Sequence, residues 1–243
     1  MISVYAHRGS VSRGVRENTV EAFRSAAQLG ADGVELDARR TADGALVLHH
    51  DIEVAGLGPV AALHSRELPE WVPLLEEALA VCVGLHLAVN VEVKSETSGS
   101  SHDAAERCAR ESALVCESVT PPGRLIVSSF SVAALSAVRE VASGLPLALL
   151  LGLQSPRPVS PWRRQSVAVL GLEGVHPFEA MVDASYVDDA HDDGLAVRVW
   201  TVDDPERIAQ LGLLGVDAVI TNDVVAARRT LGALPPAPQA PVS

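Results

Sequence analysis

Residues 33–51 read GVELDARRTADGALVLHHD, and this stretch decides the fold. Two arms rich in apolar residues, GVELDAR (33–39) and LVLHHD (46–51), flank Asp43-Gly44, a strong signal for a tight reversal between antiparallel strands. Side chains alternate faces along a strand, so Glu35 and Asp37 point the same way. A two-residue Asp43-Gly44 loop sets Asp37 across from His50. A three-residue loop with Gly44 in a left-handed bulge slips the register by one and sets His49 there instead. Either pairing puts an imidazole beside two carboxylates, a setting for a divalent cation and a proton-transfer group. Solvated surface hairpins carry such acids too. Here Val34, Leu36, Leu46, Val47 and Leu48 mark the arms as buried on at least one face, where acids need partners.

The surrounding chain, 243 residues long, is sufficient for one large α/β domain with a full core. A net charge of −12 argues against general affinity for nucleic acid or for an anionic membrane. It leaves open a small anionic substrate, which needs only a local cluster of cations or a metal. Cys82, Cys108 and Cys116 show no metal-binding spacing and read as reduced, mostly buried thiols. The N-terminus enters a strand at once, and no segment approaches the roughly 20 apolar residues that span a bilayer. The expected location is cytoplasmic.

Apolar strand-like runs alternate with amphipathic stretches throughout, the pattern of a parallel-stranded α/β protein. Core strands are expected near 2–8, 33–38, 87–94, 124–130, 146–151, 168–175, 195–202 and 216–221. Helices are expected over 18–29, 73–82, 102–118, 131–142, 183–193, 204–213 and 222–231. Asn18, with Glu21 three residues on, reads as the cap of the first helix, and Gly30 as its stop. Ser131 and Asp204 read as caps of later helices, with Pro205 at a first helical turn. Residues 155–166 form an irregular Pro-rich loop, and the Pro/Ala-rich tail 233–243 reads as disordered. Eight strand–helix units fit a (β/α)8 TIM-type barrel filling one domain over 1–232, with a short hairpin after the second strand. A doubly wound open sheet is the alternative fold, and no GxGxxG or P-loop supports a nucleotide site on it.

In such a barrel the active site lies at the C-terminal ends of the strands. The polar residues of the expected strands gather at that end: His7-Arg8 on the first, Glu35 and Asp37 on the second, Glu92 and Lys94 on the third, His176 on the sixth and Trp200 on the seventh. Glu35, Asp37 and Glu92 make a hard, oxygen-rich set suited to one divalent cation, Mg²⁺ or Ca²⁺. Lys94 beside them is either a salt-bridge partner or, with Arg8, one of two cations of a phosphate clamp. His7 and His50 suit an acid–base pair for phosphoryl transfer to water.

Taken in order, AHRGS (6–10), RENTVEAF (16–23), the stretch 30–51, NVEVK (90–94), VSSF (127–130), VWTV (199–202) and GVDAVITN (215–222) resemble the glycerophosphodiester phosphodiesterases. The resemblance implies metal-dependent hydrolysis of glycerophosphodiesters to glycerol 3-phosphate and an alcohol. It implies His7 and His50 as the acid–base pair, the family's HD dipeptide selecting His50 over His49. Glu35, Asp37 and Glu92 would be metal ligands, Arg8 and Lys94 phosphate contacts, and Glu17 a supporting acid, while Asn18 serves the helix cap. Trp200 would be an apolar wall for the glycerol or its substituent. The implied partner is a small glycerophosphodiester, with no nucleic acid and no stable membrane insertion. Lysophospholipase D activity at the same site, or a non-catalytic barrel that binds phosphodiester or metal, are the alternatives. The chain departs from the family pattern after Asp51, where DIEVAGLGPVAAL replaces a Leu-x-Arg-Thr-Thr stretch. It departs again at ITNDV, where ITDxP is usual, and at Asp203, where Asn often follows WTV.

Overall fold

The computed structural model describes residues 2–11, 14–96, 101–119, 124–153, 155 and 168–234. Eight parallel strands close into a barrel: β1 (Ser3–Ala6), β2 (Gly33–Arg40), β6 (Ala88–Val93), β7 (Leu125–Ser129), β8 (Leu147–Leu151), β9 (Gly174–Pro177), β10 (Ala196–Val199) and β11 (Ala218–Thr221). The closing contact pairs β1 with β2, Tyr5 opposite Gly33. β3 (Leu46–Leu48) returns antiparallel along β2, and a small ribbon of β4 (Glu53–Val54) and β5 (Gly58–Pro59) follows it. The helices α1 (Val20–Gln28), α2 (Leu75–Gly84), α3 (Arg107–Val119), α4 (Val132–Val141), α5 (Ala184–Asp192), α6 (Pro205–Leu214) and α7 (Val224–Gly232) accompany the barrel. The expected TIM-type architecture is the one found.

The main core lies between barrel and helices. Val34, Leu36 and Ala38 of β2 join Val89, Val91 and Val93 of β6 and the buried faces of the helices in one apolar cluster. Removing each such Val or Leu side chain from water contributes about 1.5–3 kcal/mol. The alternate residues of the same strands, Glu35, Asp37, Asn90 and Glu92, face the barrel interior. The alternation that builds the shell therefore also delivers carboxylates to the lumen. A minor cluster of Val47, Val54 and Val60 holds the segment after β3.

The structure settles the register left open at the hairpin, and two expectations need correction. The hairpin takes the three-residue loop: Ala38, Arg39 and Arg40 pair with Leu48, Val47 and Leu46, and Gly44 sits at φ 88. His49, whose N–H donates to the Asp37 carbonyl at 3.0 Å, is opposite Asp37, and His50 lies one residue beyond. The first helix is capped by Thr19, whose Oγ1 accepts from the Ala22 N–H at 3.2 Å. Asn18 stands outside the helix at φ 54, its side chain committed elsewhere. The sixth barrel strand is Gly174–Pro177, later than expected, because residues 168–170 turn helically. The caps at Ser131 and Asp204, with Pro205 opening its helix, are as expected. The Pro-rich loop from 156 to 166 and the tail from 235 onward lie outside the described residues.

Candidate active site

At the mouth of the barrel, one oxygen from each of Glu35, Asp37 and Glu92 lies within 4.8 Å of the others. All three acids are buried, Asp37 completely. β2 contributes two and the adjacent β6 the third, with Asp37 and Glu92 directly opposite in the parallel register.

Lys94 completes the cluster by bridging two of the acids. Its Nζ lies 2.8 Å from Asp37 Oδ1 and also donates to Glu92 Oε1. It is the single lysine among the chain's 19 Lys and Arg residues. From β1, the Arg8 N–H donates to Glu35 Oε2 at 3.0 Å, while its guanidinium lies 3.3 Å from Asp37 and donates to Glu17 at 3.0 Å. Asn18 grips Asp37 twice, donating from Nδ2 to Oδ2 at 2.7 Å and accepting the Asp37 N–H at 3.1 Å.

The electrostatics follow from three acids facing two cations. Burial, reinforced by Asp37 and Glu92, pushes the Glu35 carboxyl well above its ordinary value. Burial also lifts Glu92 to about 7, with Asp37 adding to the effect and Lys94 opposing it. Burial raises Asp37 too, but Lys94, Arg8 and the Asn18 hydrogen bond outweigh it and hold that carboxyl below its usual range. The set is therefore short of positive charge, and its donors are all hard oxygens. These residues fit a divalent cation.

His7 follows β1 and is held by backbone and side chain. Its N–H donates to the Thr221 carbonyl at 2.9 Å; its ring Nδ1 lies 3.0 Å from Asn222 Oδ1, and Nε2 lies 4.0 Å from Glu35. Burial, then the nearby Arg8 charge, lowers its pKa and keeps the ring neutral. Asn222 is itself held by Asp203. Its N–H donates to Asp203 Oδ1 at 2.7 Å and its Nδ2 to Oδ2 at 2.8 Å, while Thr221 Oγ1 donates to Oδ1 at 3.0 Å. Burial raises the Asp203 carboxyl, but the bonds from Asn222 and Thr221 prevail and keep it ionised. The two late departures from the family pattern are thus hydrogen-bonded to each other.

His50 lines a cleft of about 1080 Å³ that also exposes Glu92, Lys94, Trp71 and Phe130. Its Nδ1 lies 2.8 Å from Asp51 Oδ1, and that bond depresses the Asp51 pKa. Arg39 positions the segment: Nε reaches the carbonyls of His49 and His50, each at 3.1 Å, and Nη2 reaches the His50 carbonyl at 2.7 Å. Glu96 anchors the same guanidinium at 3.0 Å. Arg39 has no place in the motif reading, although its spacing from Asp37 puts it on the same face.

Trp200 packs edge-on against Phe130 and Phe178, with ring centres 5.6 and 5.5 Å away, and its indole N–H donates to the His176 carbonyl at 2.7 Å. His176 is fully buried, and neither ring nitrogen has a protein partner among the described residues. Burial, then Arg198, pushes its pKa well below the usual value, so it is a neutral interior residue. Across the cleft the Arg16 guanidinium stacks 4.8 Å over Trp71, a feature that no motif announces.

An acid-lined barrel mouth with flanking cations and imidazoles defines a class of hydrolytic barrel, and comparison with known proteins gives the family. A family model described as the glycerophosphoryl diester phosphodiesterase family matches residues 7–226. The chain belongs to that family and is a phosphodiester-hydrolysing enzyme. It is 32% identical to a glycerophosphodiester phosphodiesterase of Caldanaerobacter subterraneus subsp. tengcongensis, covering 90% of this chain and 93% of that protein. It is 28% identical to the probable glycerophosphodiester phosphodiesterase 2 of Mycobacterium tuberculosis, covering 89% and 86%. The fold matches that of an Oleispira antarctica phosphodiesterase solved with sn-glycerol-3-phosphate, with a TM-score of 0.83, 23% identity and coverage of 95% and 97%. Among the described residues no helix is long and apolar enough to cross a membrane.

Proposed function

We propose that this enzyme hydrolyses glycerophosphodiesters to glycerol 3-phosphate and an alcohol, using one divalent cation and an acid–base pair formed by His7 and His50. The observation that carries the reading is the buried Glu35–Asp37–Glu92 cluster, within 4.8 Å, with Lys94 and Arg8 against it. Those three carboxylates would hold Mg²⁺ or Ca²⁺, which when bound supplies Lewis-acid polarisation of the phosphate.

The remaining work falls to side chains. Arg8 and Lys94 orient the phosphodiester and offset its negative charge. His7 is neutral, and its Nδ1 is taken up by Asn222, so Nε2 is free to accept the proton of the attacking hydroxyl. His50, with Asp51 supporting its Nδ1, protonates the departing alkoxide from Nε2. Glu17 holds the Arg8 fork, and Trp200 with Phe130 walls the apolar side of the mouth.

The test is a coupled assay for glycerol 3-phosphate released from glycerophosphocholine, with choline release from lysophosphatidylcholine followed in parallel. Release that stops with EDTA and returns with Mg²⁺ or Ca²⁺ is expected. Undiminished release in chelator removes the metal from the reading, and turnover of the lysolipid alone moves the substrate to that class. His7→Gln and His50→Gln are each expected to lower kcat by about 10²–10⁴-fold with an unchanged melting curve. Full activity in either variant ends the acid–base assignment.

A further inference from the structure

We infer that Asp203 and Asn222 form a positioning relay that fixes the tautomer of His7, with Asp203 dictating which end of the Asn222 amide faces the ring. The inference builds on the proposed proton-transfer role of His7, and its first readout does not depend on that role.

An ionised carboxylate can only accept hydrogen bonds. Asp203 Oδ1 takes the Asn222 N–H and the Thr221 hydroxyl, and Oδ2 takes the Asn222 Nδ2. The amide nitrogen of Asn222 is thereby committed to Asp203, and its Oδ1 is turned toward His7 Nδ1 at 3.0 Å. An oxygen there accepts, so the ring proton belongs on Nδ1. The lone pair is left on Nε2, the nitrogen that faces Glu35 and the acid cluster. Asp203 and Asn222 are themselves exposed, and neither belongs to the acid cluster. They act on the chemistry only by way of His7.

The relay has a logic of donors that a single substitution reverses. In Asp203→Asn the amide oxygen stays where it receives the Asn222 N–H and the Thr221 hydroxyl. Its NH₂ then occupies the place of Oδ2. Facing a donor, the Asn222 side chain must turn its own oxygen toward residue 203 and its NH₂ toward His7. The ring then accepts at Nδ1 and carries its proton on Nε2, the wrong end for a base. Exchanging both residues, Asp203→Asn with Asn222→Asp, restores an acceptor opposite Nδ1.

¹⁵N-histidine NMR on the full chain at mildly alkaline pH reads the tautomer directly, with the His7 signals assigned by their loss in His7→Gln. The Nδ1–H form is expected in the native protein, the Nε2–H form in Asp203→Asn, and the Nδ1–H form again in the double exchange. In parallel, kcat is expected to fall about a hundredfold in the single variant and to recover in the double, with KM little changed. A native spectrum showing Nε2–H overturns the relay, whether or not the variants fold, and so does an unaltered tautomer in Asp203→Asn. A reversed tautomer with undiminished turnover upholds the relay and instead removes His7 from proton transfer.

Discussion

Single residues at this barrel mouth act chiefly by holding other residues. Arg39 is the clearest case, because one guanidinium gathers the carbonyls of His49 and His50 and is tethered by Glu96. Replacing it with Gln leaves those acceptors short of a charged donor and frees the segment that carries His50. The expected cost is about 2–3 kcal/mol of stability by urea melt. An ångström of misplacement at His50 should also lower kcat about a hundredfold. A variant with native kcat would show that the His50 segment holds itself. Asn18 illustrates the same economy: its helix-cap chemistry is real, but its amide is spent on Asp37, and Thr19 caps instead. The motif EN is legible in sequence, while the choice between adjacent Asn and Thr is not, because it turns on a partner 19 residues away.

At the scale of elements, the turn from β1 into α1 leaves no room for a side chain. Gly9 sits at φ +80, and a Cβ there would stand 2.6 Å from the Ala22 Cβ and 2.8 Å from its carbonyl carbon. Gly9→Ala adds left-handed strain of roughly 1–2 kcal/mol to a backbone clash of about 1–3 kcal/mol. A loss of about 2–5 kcal/mol is expected in denaturant melts. A loss under 1 kcal/mol would mean that the turn relaxes freely. Strands were legible where an interior of carboxylates alternates with a shell of Val and Leu, as in β2 and β6. Legibility failed for β9, since GVHP carries Gly and Pro, both poor strand formers, next to an apolar run that proves helical. Gly174 is needed because the Ala196 carbonyl and the Arg198 guanidinium fill the space of a Cβ. The hairpin register was open for a similar reason: Asp43-Gly44 signals a turn, and the left-handed Gly44 of the longer loop settles it.

Across the whole molecule, a crowded acid cluster links folding to pH and to cations. Glu92 at about 7, and Glu35 well above its ordinary 4.5, keep protons in the fold that the unfolded chain releases near 4.5. Their contribution to stability is full below that value and is lost as pH rises through the folded-state pKa of each, about 7 for Glu92. A bound cation competes with those protons and stabilises by mass action. The gain in Tm with millimolar Mg²⁺ or Ca²⁺ is therefore expected to be small near pH 5 and large near pH 8. A gain that stays constant over that range would place the cation away from these acids. The acids themselves were readable from their spacing, since both pairs follow the two-residue period of a strand. The relay behind His7 was not, because residues 7, 203 and 222 meet only when the barrel closes β1 against β11.

Lys94 carries one more consequence. Because it is the chain's lone lysine, every side-chain primary amine of the protein sits in one pocket against Asp37 and Glu92. Acylating or aldehyde reagents, which elsewhere scatter over a surface, have a single internal address here. The extent of their reaction, read by intact mass, becomes a gauge of how tightly that address is closed.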